Sequence, residues 1–237
     1  MDIRGIVFDV DDTLYDMSQP FFYAYQMLWT EEYDLPLQDL FLAFRGFSDE
    51  KFSDVQAGKM RLEDVYIYRF RMMMRTYGIE TTDADALAFQ EVYMGAQYRI
   101  QLSQVMKDLL GNLRNHVSIG IITNGDSVHQ RKKIRALDVS PWIPDSHIIV
   151  SGDYSFCKPN VRIFREMEQR LQMSPKELLY IGDAFDLDIA GAYGAGWHSV
   201  WFNHRRRTHP DVVCVAPDIE AHSEEDLFTA VRQFIEK

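Results

Sequence analysis

The sequence predicts an α/β fold, in which a Rossmann-like parallel sheet is flanked by helices and a helical segment is inserted after the first strand. Short apolar runs of branched and aromatic residues recur along the chain, as in strands buried on both faces of a parallel sheet. Helical patterns alternate with these runs from about residue 100 onward. The segment 16–100 has no convincing strand and is rich in aromatic and methionine residues.

The strands of the sheet are predicted from the apolar runs. Five runs are clear and a sixth is weaker; in order they are Ile3–Phe8, Val117–Ile122, His147–Val150, Leu178–Ile181, His198–Phe202 and, as the weaker candidate, Val212–Val215. The predicted core domain comprises residues 1–15 and 101–237, and the predicted helical domain comprises residues 16–100.

The helices are predicted from apolar residues at helical spacing and from capping signals. Inside the insertion we expect helices near Gln19–Tyr33, Arg61–Tyr77 and Asp83–Tyr98. In the core, one face is formed by Val105, Met106, Leu109, Leu110 and Leu113, and another by Val161, Phe164, Met167 and Leu171. Ser174–Glu177 and Ser223–Asp226 are typical helix starts.

Composition limits the possible partners. The chain has 237 residues, of which 46% are hydrophobic and 26% charged, an ordinary balance for a globular protein. Its formal net charge of −11 argues against a nucleic-acid partner. No apolar run approaches the roughly 20 residues of a membrane span, and the apolar stretch before Asp9 is shorter than the one expected of a secretory signal. We expect a cytoplasmic protein without a membrane partner, either a monomer or a homodimer.

Polar residues follow three of the predicted strands directly: Asp9, Asp11 and Thr13, then Thr123, Asn124 and Gly125, then Asp183. Ligands of an open parallel sheet bind beyond the carboxyl ends of its strands, so these groups are expected to meet at one edge. A cluster of acids there requires a cation, and oxygen ligands suit Mg²⁺. Lys158, just before a predicted helix, supplies a counter-charge for an acid and for a phosphoryl oxygen.

These residues resemble the four signature motifs of the haloacid dehalogenase superfamily, in the same order and spacing. The motifs are Asp9-Val10-Asp11-Asp12-Thr13-Leu14, Thr123-Asn124-Gly125, Lys158-Pro159 and Gly182-Asp183-Ala184-Phe185-Asp186-Leu187-Asp188. Each motif is short, but all four occur in order, and the resemblance covers nearly the whole chain. The resemblance implies a phosphatase core with a helical cap domain between the first and second motifs.

The resemblance also implies roles for the acids. Asp9 would attack phosphorus and form an aspartyl-phosphate, and Asp11 would protonate the leaving oxygen and then activate water. Magnesium would be held by Asp9, by the main-chain carbonyl of Asp11 and by Asp183, with Asp188 supporting the metal shell.

The other motif residues are implied to bind the substrate. Thr123 and Lys158 would bind the transferring phosphoryl group, together with the loop amides at Asn124 and Gly125. Thr13 would orient the first loop. Arg45 is a candidate substrate contact, since relatives often place a specificity loop at this point of the cap.

The resemblance points to a small phosphomonoester, a nucleoside monophosphate or a sugar phosphate. Trp201–Arg205 is similar to the tail of nucleotidase-like members, whereas Ser151-Gly152-Asp153 departs from relatives that often carry glutamate after the serine. Arg205–Arg207 is interpreted as a solvated basic loop, and His204 and His209 as surface residues.

Three alternatives to a phosphatase remain. A phosphomutase would share the nucleophile and the metal but would pass the phosphoryl group to a second hydroxyl. Haloacid dehalogenation is disfavoured, because displacement of a halide has no use for a proton carrier at Asp11. A non-catalytic metabolite-binding module would be favoured by loss of a motif acid, and none is lost.

Overall fold

A six-stranded parallel sheet forms the centre of the larger of two units into which the chain divides. The computed structural model describes residues 2–29, 32–208 and 215–235. An α/β unit comprises Met1–Asp16 and Gln101–Lys237, and a helical unit comprises Met17–Ile100. The predicted fold class, a parallel sheet with a helical insertion after its first strand, is confirmed.

The sheet has the strand order β3-β2-β1-β4-β5-β6, and every neighbouring pair is parallel. Its strands are β1 (Gly5–Phe8), β2 (Ser118–Thr123), β3 (Ile148–Val150), β4 (Leu178–Gly182), β5 (His198–Phe202) and β6 (Ile219–Ala221). The first strand therefore lies between β2 and β4, and all four of its residues are buried. This arrangement brings the ends of β2, β1 and β4 together at the middle of one edge.

The weaker sixth candidate strand, Val212–Val215, stays untested by the structure. Residues 212–214 lie outside the described part of the chain, and Val215 is not in a strand. The observed β6 pairs with β5 over three residues, from Val200 with Ile219 to Phe202 with Ala221. An edge strand of three residues with a glutamate at its centre has no apolar run, so hydrophobic patterning could not reveal it.

The helices of the α/β unit cover the faces of the sheet. They are α6 (Gln104–Leu113), α7 (Ser127–Ala136), α8 (Val161–Leu171), α9 (Ala190–Ala195) and α10 (Glu224–Ile235), numbered after five helices of the insertion. The predicted start at Ser174 has its capping box, but only one 3₁₀ turn follows, Pro175–Glu177. The apolar run that comes next is already β4, so no chain remains for a helix. On α8, Val161 is exposed and Ile163 is buried in its place.

The helical unit consists of α1 (Ser18–Leu28), α2 (Leu37–Glu50), α3 (Phe52–Gln56), α4 (Leu62–Arg75) and α5 (Asp83–Ala96). Its core is largely aromatic and includes Phe21, Phe44, Phe70 and Phe89. The expectation of a specificity loop around Arg45 is wrong, because Arg45 lies inside the 14-residue helix α2. This helix carries its buried residues Leu40, Phe41 and Phe44 at helical spacing. Within the described residues, no helix is both long and apolar enough to cross a membrane.

Phe89 is predicted to be the residue on which the core of the helical unit depends most. Its ring is fully buried, with centroids 4.8 Å from Phe70, 5.4 Å from Phe21 and 5.6 Å from Phe44. Phe89→Ala should lower the free energy of unfolding by about 3–5 kcal/mol, because it leaves a cavity among these rings. Leu87→Ala, on the same helix but 37% exposed, should change it by less than about 0.5 kcal/mol. Urea unfolding measures both, and equal losses would contradict this packing.

Candidate active site

Three buried carboxylates lie together at the carboxyl edge of the sheet. Asp9 directly follows β1 and Asp183 directly follows β4, so two neighbouring strands deliver them. Asp188 comes from the π-helical turn Phe185–Ile189 that leads into α9. One carboxylate oxygen of each residue lies within 4.8 Å of those of the other two, and all three residues are buried.

Lys158 is the counter-charge inside this group. Its side chain is buried, and Nζ lies 2.7 Å from Asp9 Oδ1 and 2.7 Å from Asp188 Oδ1. Nζ also donates to the hydroxyl of Tyr180 at 3.0 Å, and that hydroxyl donates to the carbonyl of Ile122 at 2.7 Å. Burial alone would lower the pKa of Lys158, but Asp188 and Asp9 raise it well above its ordinary value. The lysine is therefore a permanent cation in the site.

One lysine does not balance three acids. Burial is the main cause that raises the pKa of Asp9 to about 7, opposed by Lys158 and reinforced by Asp188. Burial likewise raises the pKa of Asp183 to about 8, and Asp188 reinforces it while Arg207 opposes it. A buried set of carboxylate oxygens with excess negative charge is the donor set that suits Mg²⁺. The residues present thus fit a magnesium ion.

The position of Asp188 depends on a glycine. The main-chain N–H of Ala184 donates to Asp188 Oδ2 at 2.9 Å, which holds the carboxylate against the end of β4. A Cβ atom at Gly182 would lie only 2.3 Å from the same Oδ2. Only glycine therefore allows the carboxylate to fit there, which gives the Gly182-Asp183 pair of the sequence a steric reason.

Asp11 lies in a different environment from Asp9. Its Oδ1 accepts from Lys133 Nζ at 2.9 Å and from the hydroxyl of Tyr15 at 2.6 Å, and its Oδ2 accepts from Gln130 Nε2 at 2.8 Å. Burial alone would raise the pKa of Asp11, but Lys133 and the other two donors lower it below its ordinary value. The carboxylate of Asp11 does not belong to the group formed by Asp9, Asp183 and Asp188 among the described residues. The predicted metal contact through its main-chain carbonyl stays a prediction.

The second motif, Thr123-Asn124-Gly125, binds the main chain of Lys158. The amide of Asn124 accepts from the main-chain N–H of Lys158 at 2.9 Å and donates to the carbonyl of Lys158 at 3.0 Å. The N–H of Gly125 donates to Ser151 Oγ at 3.0 Å. The side chain of Asn124 and the amide of Gly125 are thus engaged within the protein, and their predicted role in phosphate binding stays a prediction.

Two threonines of the motifs are buried. Thr123 is the last residue of β2, and its exposed fraction is 1%. Thr13 is equally buried, and within residues 2–29, 32–208 and 215–235 its Oγ1 has no hydrogen-bond partner. An unpaired buried hydroxyl is costly unless a ligand satisfies it. Both threonines remain candidate substrate contacts, and Arg45 remains one in the helical unit, where it forms a loose 3.7 Å ion pair with Asp49.

The interpretation of the basic segment after β5 as a solvated loop was wrong for Arg205, whereas Arg206 and Arg207 are exposed and His209 lies outside the described residues. The side chain of Arg205 is only 6% exposed and forms a two-point contact with Asp12, Nε to Oδ2 at 2.9 Å and Nη2 to Oδ1 at 2.7 Å. Nη1 of Arg207 lies 2.6 Å from Asp183 Oδ2. His204 is half-buried and bonds the carbonyl of Asp12 through Nε2 at 3.1 Å. The signal that could have found these residues is their place directly after a strand, at the edge where the acids lie.

Comparison with known proteins shows the family of this chain. A family model for haloacid dehalogenase-like hydrolases matches residues 3–196, most of the chain. The chain belongs to the haloacid dehalogenase-like hydrolases. It is 31% identical over 228 residues to the HAD-hydrolase YfnB of Bacillus subtilis, covering 95% of this chain and 94% of that protein.

Two further relatives have narrower names. A glyceraldehyde 3-phosphate phosphatase of Methanopyrus kandleri is 26% identical, with 98% of each chain covered. The pyrimidine 5'-nucleotidase YjjG of Escherichia coli is 26% identical, with 81% of this chain and 88% of that protein covered. A crystal structure of Bacillus subtilis YfnB bound to magnesium is similar with a TM-score of 0.70 and 28% identity, covering 98% of this chain and 99% of that one.

The acid group makes the stabilising effect of magnesium depend on pH. In the metal-free protein the pKa values of about 7 for Asp9 and about 8 for Asp183 lie above the roughly 3.9 of an unfolded aspartate. A carboxyl group whose pKa is raised by folding stabilises the folded state at pH values below its pKa in the unfolded chain. This stabilisation is lost as the pH rises from about 4 to about 8. Bound Mg²⁺ offsets that loss. The rise in Tm on adding MgCl₂ to metal-free protein should therefore be larger at about pH 8 than at about pH 5.5.

Thermal unfolding in EDTA and in excess MgCl₂ measures this difference. Asp183→Asn removes one proposed ligand and should abolish most of the rise at both pH values. A rise in Tm that is the same at both pH values in the unmodified protein would contradict magnesium binding at these acids.

Proposed function

We propose that this hydrolase is a magnesium-dependent phosphatase that hydrolyses a small phosphomonoester through a phosphorylated Asp9. One observation carries the proposal. Asp9 lies buried against the Lys158 ammonium in a group of three acids, while Asp11, two residues later, is held outside that group by its own donors. Two carboxylates in opposite environments suit two different roles, a nucleophile and a proton carrier.

The first step is attack by a carboxylate oxygen of Asp9 on phosphorus. A bond forms between that oxygen and phosphorus, the bond to the leaving oxygen breaks, and the carboxyl proton of Asp11 passes to the leaving oxygen. Lys158 binds the phosphoryl oxygens while remaining paired with Asp188. Catalysis of phosphoryl transfer rests mainly on such positioning and charge stabilisation.

The second step restores the enzyme. The Asp11 carboxylate takes a proton from water, the water oxygen attacks phosphorus, and the bond to Asp9 breaks to release inorganic phosphate. Asp9 and Asp183, with Asp188 close by, would hold the magnesium ion. When bound, the ion supplies positive charge that offsets the negative charge of the phosphoryl oxygens.

The proposed substrate class is a small phosphorylated metabolite, a sugar phosphate or a nucleoside monophosphate. Relatives named as glyceraldehyde 3-phosphate phosphatase and as pyrimidine 5'-nucleotidase support this class. These relatives are named for different substrates but are equally similar to this chain. They therefore do not decide between a sugar phosphate and a nucleoside monophosphate as its substrate. Thr13, Thr123 and the amides at Asn124 and Gly125 are proposed to contact the phosphoryl group, and Arg45 the rest of the substrate.

Replacement of Asp9 tests the covalent mechanism. Asp9→Asn removes the nucleophile but keeps the size of the side chain, so phosphate release from any substrate should fall by at least roughly a thousandfold. A panel of sugar phosphates and nucleoside monophosphates with MgCl₂, followed by inorganic phosphate release, measures this. The exposed Asp39→Asn serves as the control variant and should retain activity.

The same panel tests the reaction class. Turnover retained by Asp9→Asn would contradict the covalent mechanism. Isomerised sugar phosphate in place of free phosphate would identify a phosphomutase, and binding of phosphorylated ligands without turnover would identify a binding module.

Replacement of Arg45 tests its proposed contact with the substrate. Arg45→Ala should raise KM for the best substrate by about tenfold and leave kcat within about twofold, because a binding contact shared by ground and transition states is lost. Arg71→Ala, which removes an exposed arginine paired with Asp83 in the same unit, is the matched control. Equal KM values in the two variants would contradict a substrate contact by Arg45.

A further inference from the structure

The carboxylate of Asp11 is held by one face of α7. Gln130 and Lys133 are three residues apart, so both side chains lie on the same side of this helix. Their exposed fractions are only 3% and 4%. Gln130 Nε2 donates to Asp11 Oδ2 at 2.8 Å, and Lys133 Nζ donates to Asp11 Oδ1 at 2.9 Å. Each oxygen of the carboxylate therefore receives its own donor from α7.

The amide of Gln130 is oriented for this contact at a cost. Its Nε2 donates both to Asp11 Oδ2 and to the carbonyl of Asn124, the latter at 2.9 Å. Its Oε1 is buried and has no hydrogen-bond partner within the part of the chain that the structure describes. Leaving a buried acceptor unpaired is unfavourable. The side chain of Gln130 nevertheless lies with its amide hydrogens toward Asp11.

Gly125 provides the space for this amide. Its φ is +143°, and a Cβ atom built there would lie 3.0 Å from both Cγ and Nε2 of Gln130. A larger residue would push the Gln130 side chain away from Asp11. The glycine of the second motif thus also seats a residue that no motif contains.

The contacts matter because Asp11 lies close in sequence to the metal-binding acids. A free carboxylate two residues after Asp9 would be drawn to a divalent cation held by Asp9 and Asp183, since opposite charges attract strongly at a partly buried site. Two N–H donors from a rigid helix, together with the Tyr15 hydroxyl, fix the carboxylate elsewhere.

We propose that Gln130 and Lys133 are positioning residues that hold the Asp11 carboxyl group where it exchanges a proton with the leaving oxygen and with water. The inference rests on the proposed phosphatase function. Neither residue touches the substrate in this account; they act through Asp11. Their loss should therefore weaken proton transfer more than substrate binding.

Leaving-group dependence measures this role, because kcat/KM reports the steps up to departure of the leaving group. Gln130→Leu and Lys133→Met should lower kcat/KM for the best alkyl phosphate of the panel by at least about tenfold, part of the 10²–10⁴ that a positioned acid contributes. For p-nitrophenyl phosphate, whose leaving group departs without protonation, the loss should stay below about threefold.

Lys132→Met is the matched control, since it removes the same charge from an exposed neighbour on α7 and should retain both activities. Lys133→Met leaves a partly buried carboxylate without its ion pair, whereas Gln130→Leu keeps that pair. Urea unfolding verifies the fold of each variant, and if Lys133→Met does not fold, Gln130→Leu alone decides.

A selective loss for the alkyl ester supports the positioning role. An equal loss for both esters, or no loss for either, overturns it. An unmodified protein that releases phosphate from neither ester contradicts the proposed function, and the inference then falls with it.

Discussion

The ion pair between the Lys158 ammonium and the carboxylates of Asp9 and Asp188 is the interaction on which the rest of the site depends. Nζ lies 2.7 Å from an oxygen of each acid, in a place where neither side of the pair is solvated. Removing one partner of such a buried pair typically costs about 3–5 kcal/mol, because the remaining charge is left without compensation. The lysine is thus required for the acids to be buried together.

Several elements of the sheet serve to hold this lysine. Asn124, after β2, binds the main chain of Lys158 on both its N–H and its carbonyl, and Tyr180 of β4 binds its Nζ. The hydroxyl of Tyr180 is fixed in turn by the carbonyl of Ile122. Strands β2 and β4 therefore support one ammonium, and this explains why the fold can keep acids buried at its edge.

The pKa values of Asp9 and Asp11, which are two residues apart, are shifted in opposite directions by their surroundings. Burial among other acids raises the pKa of Asp9 to about 7, whereas Lys133, Tyr15 and Gln130 overcome burial and lower the pKa of Asp11. The structure holds Asp11 in its ionised form, which in the proposed mechanism is the form that activates water. In that proposal the protonated form donates to the leaving oxygen and must be generated against these three donors.

The sequence predicted the parts of the site that follow directly from strand ends. Asp9 and Asp183 each follow an apolar run, and the parallel sheet brings such positions together whatever the helices do. Gln130 and Lys133 could not be found this way, because a glutamine and a lysine on a polar helix have no distinguishing pattern until α7 is placed against Asp11. Arg205 was taken for a solvated residue because burial of an arginine depends on a distant partner, Asp12. The edge strand β6 and the helix α2 escaped prediction because the first is too short for periodicity and the second was interpreted as a loop.

The central claim is that a carboxylate oxygen of Asp9 carries the phosphoryl group between the two steps. The most direct measurement is to quench the enzyme during turnover, reduce with borohydride, which converts an aspartyl-phosphate to homoserine, and sequence the peptides by mass spectrometry. This account predicts homoserine at position 9. With p-nitrophenyl phosphate, whose leaving group departs without protonation, the amount should rise in an Asp11→Asn variant, because there only the second step is slowed. Turnover without homoserine at position 9, or with homoserine at another aspartate, would contradict it.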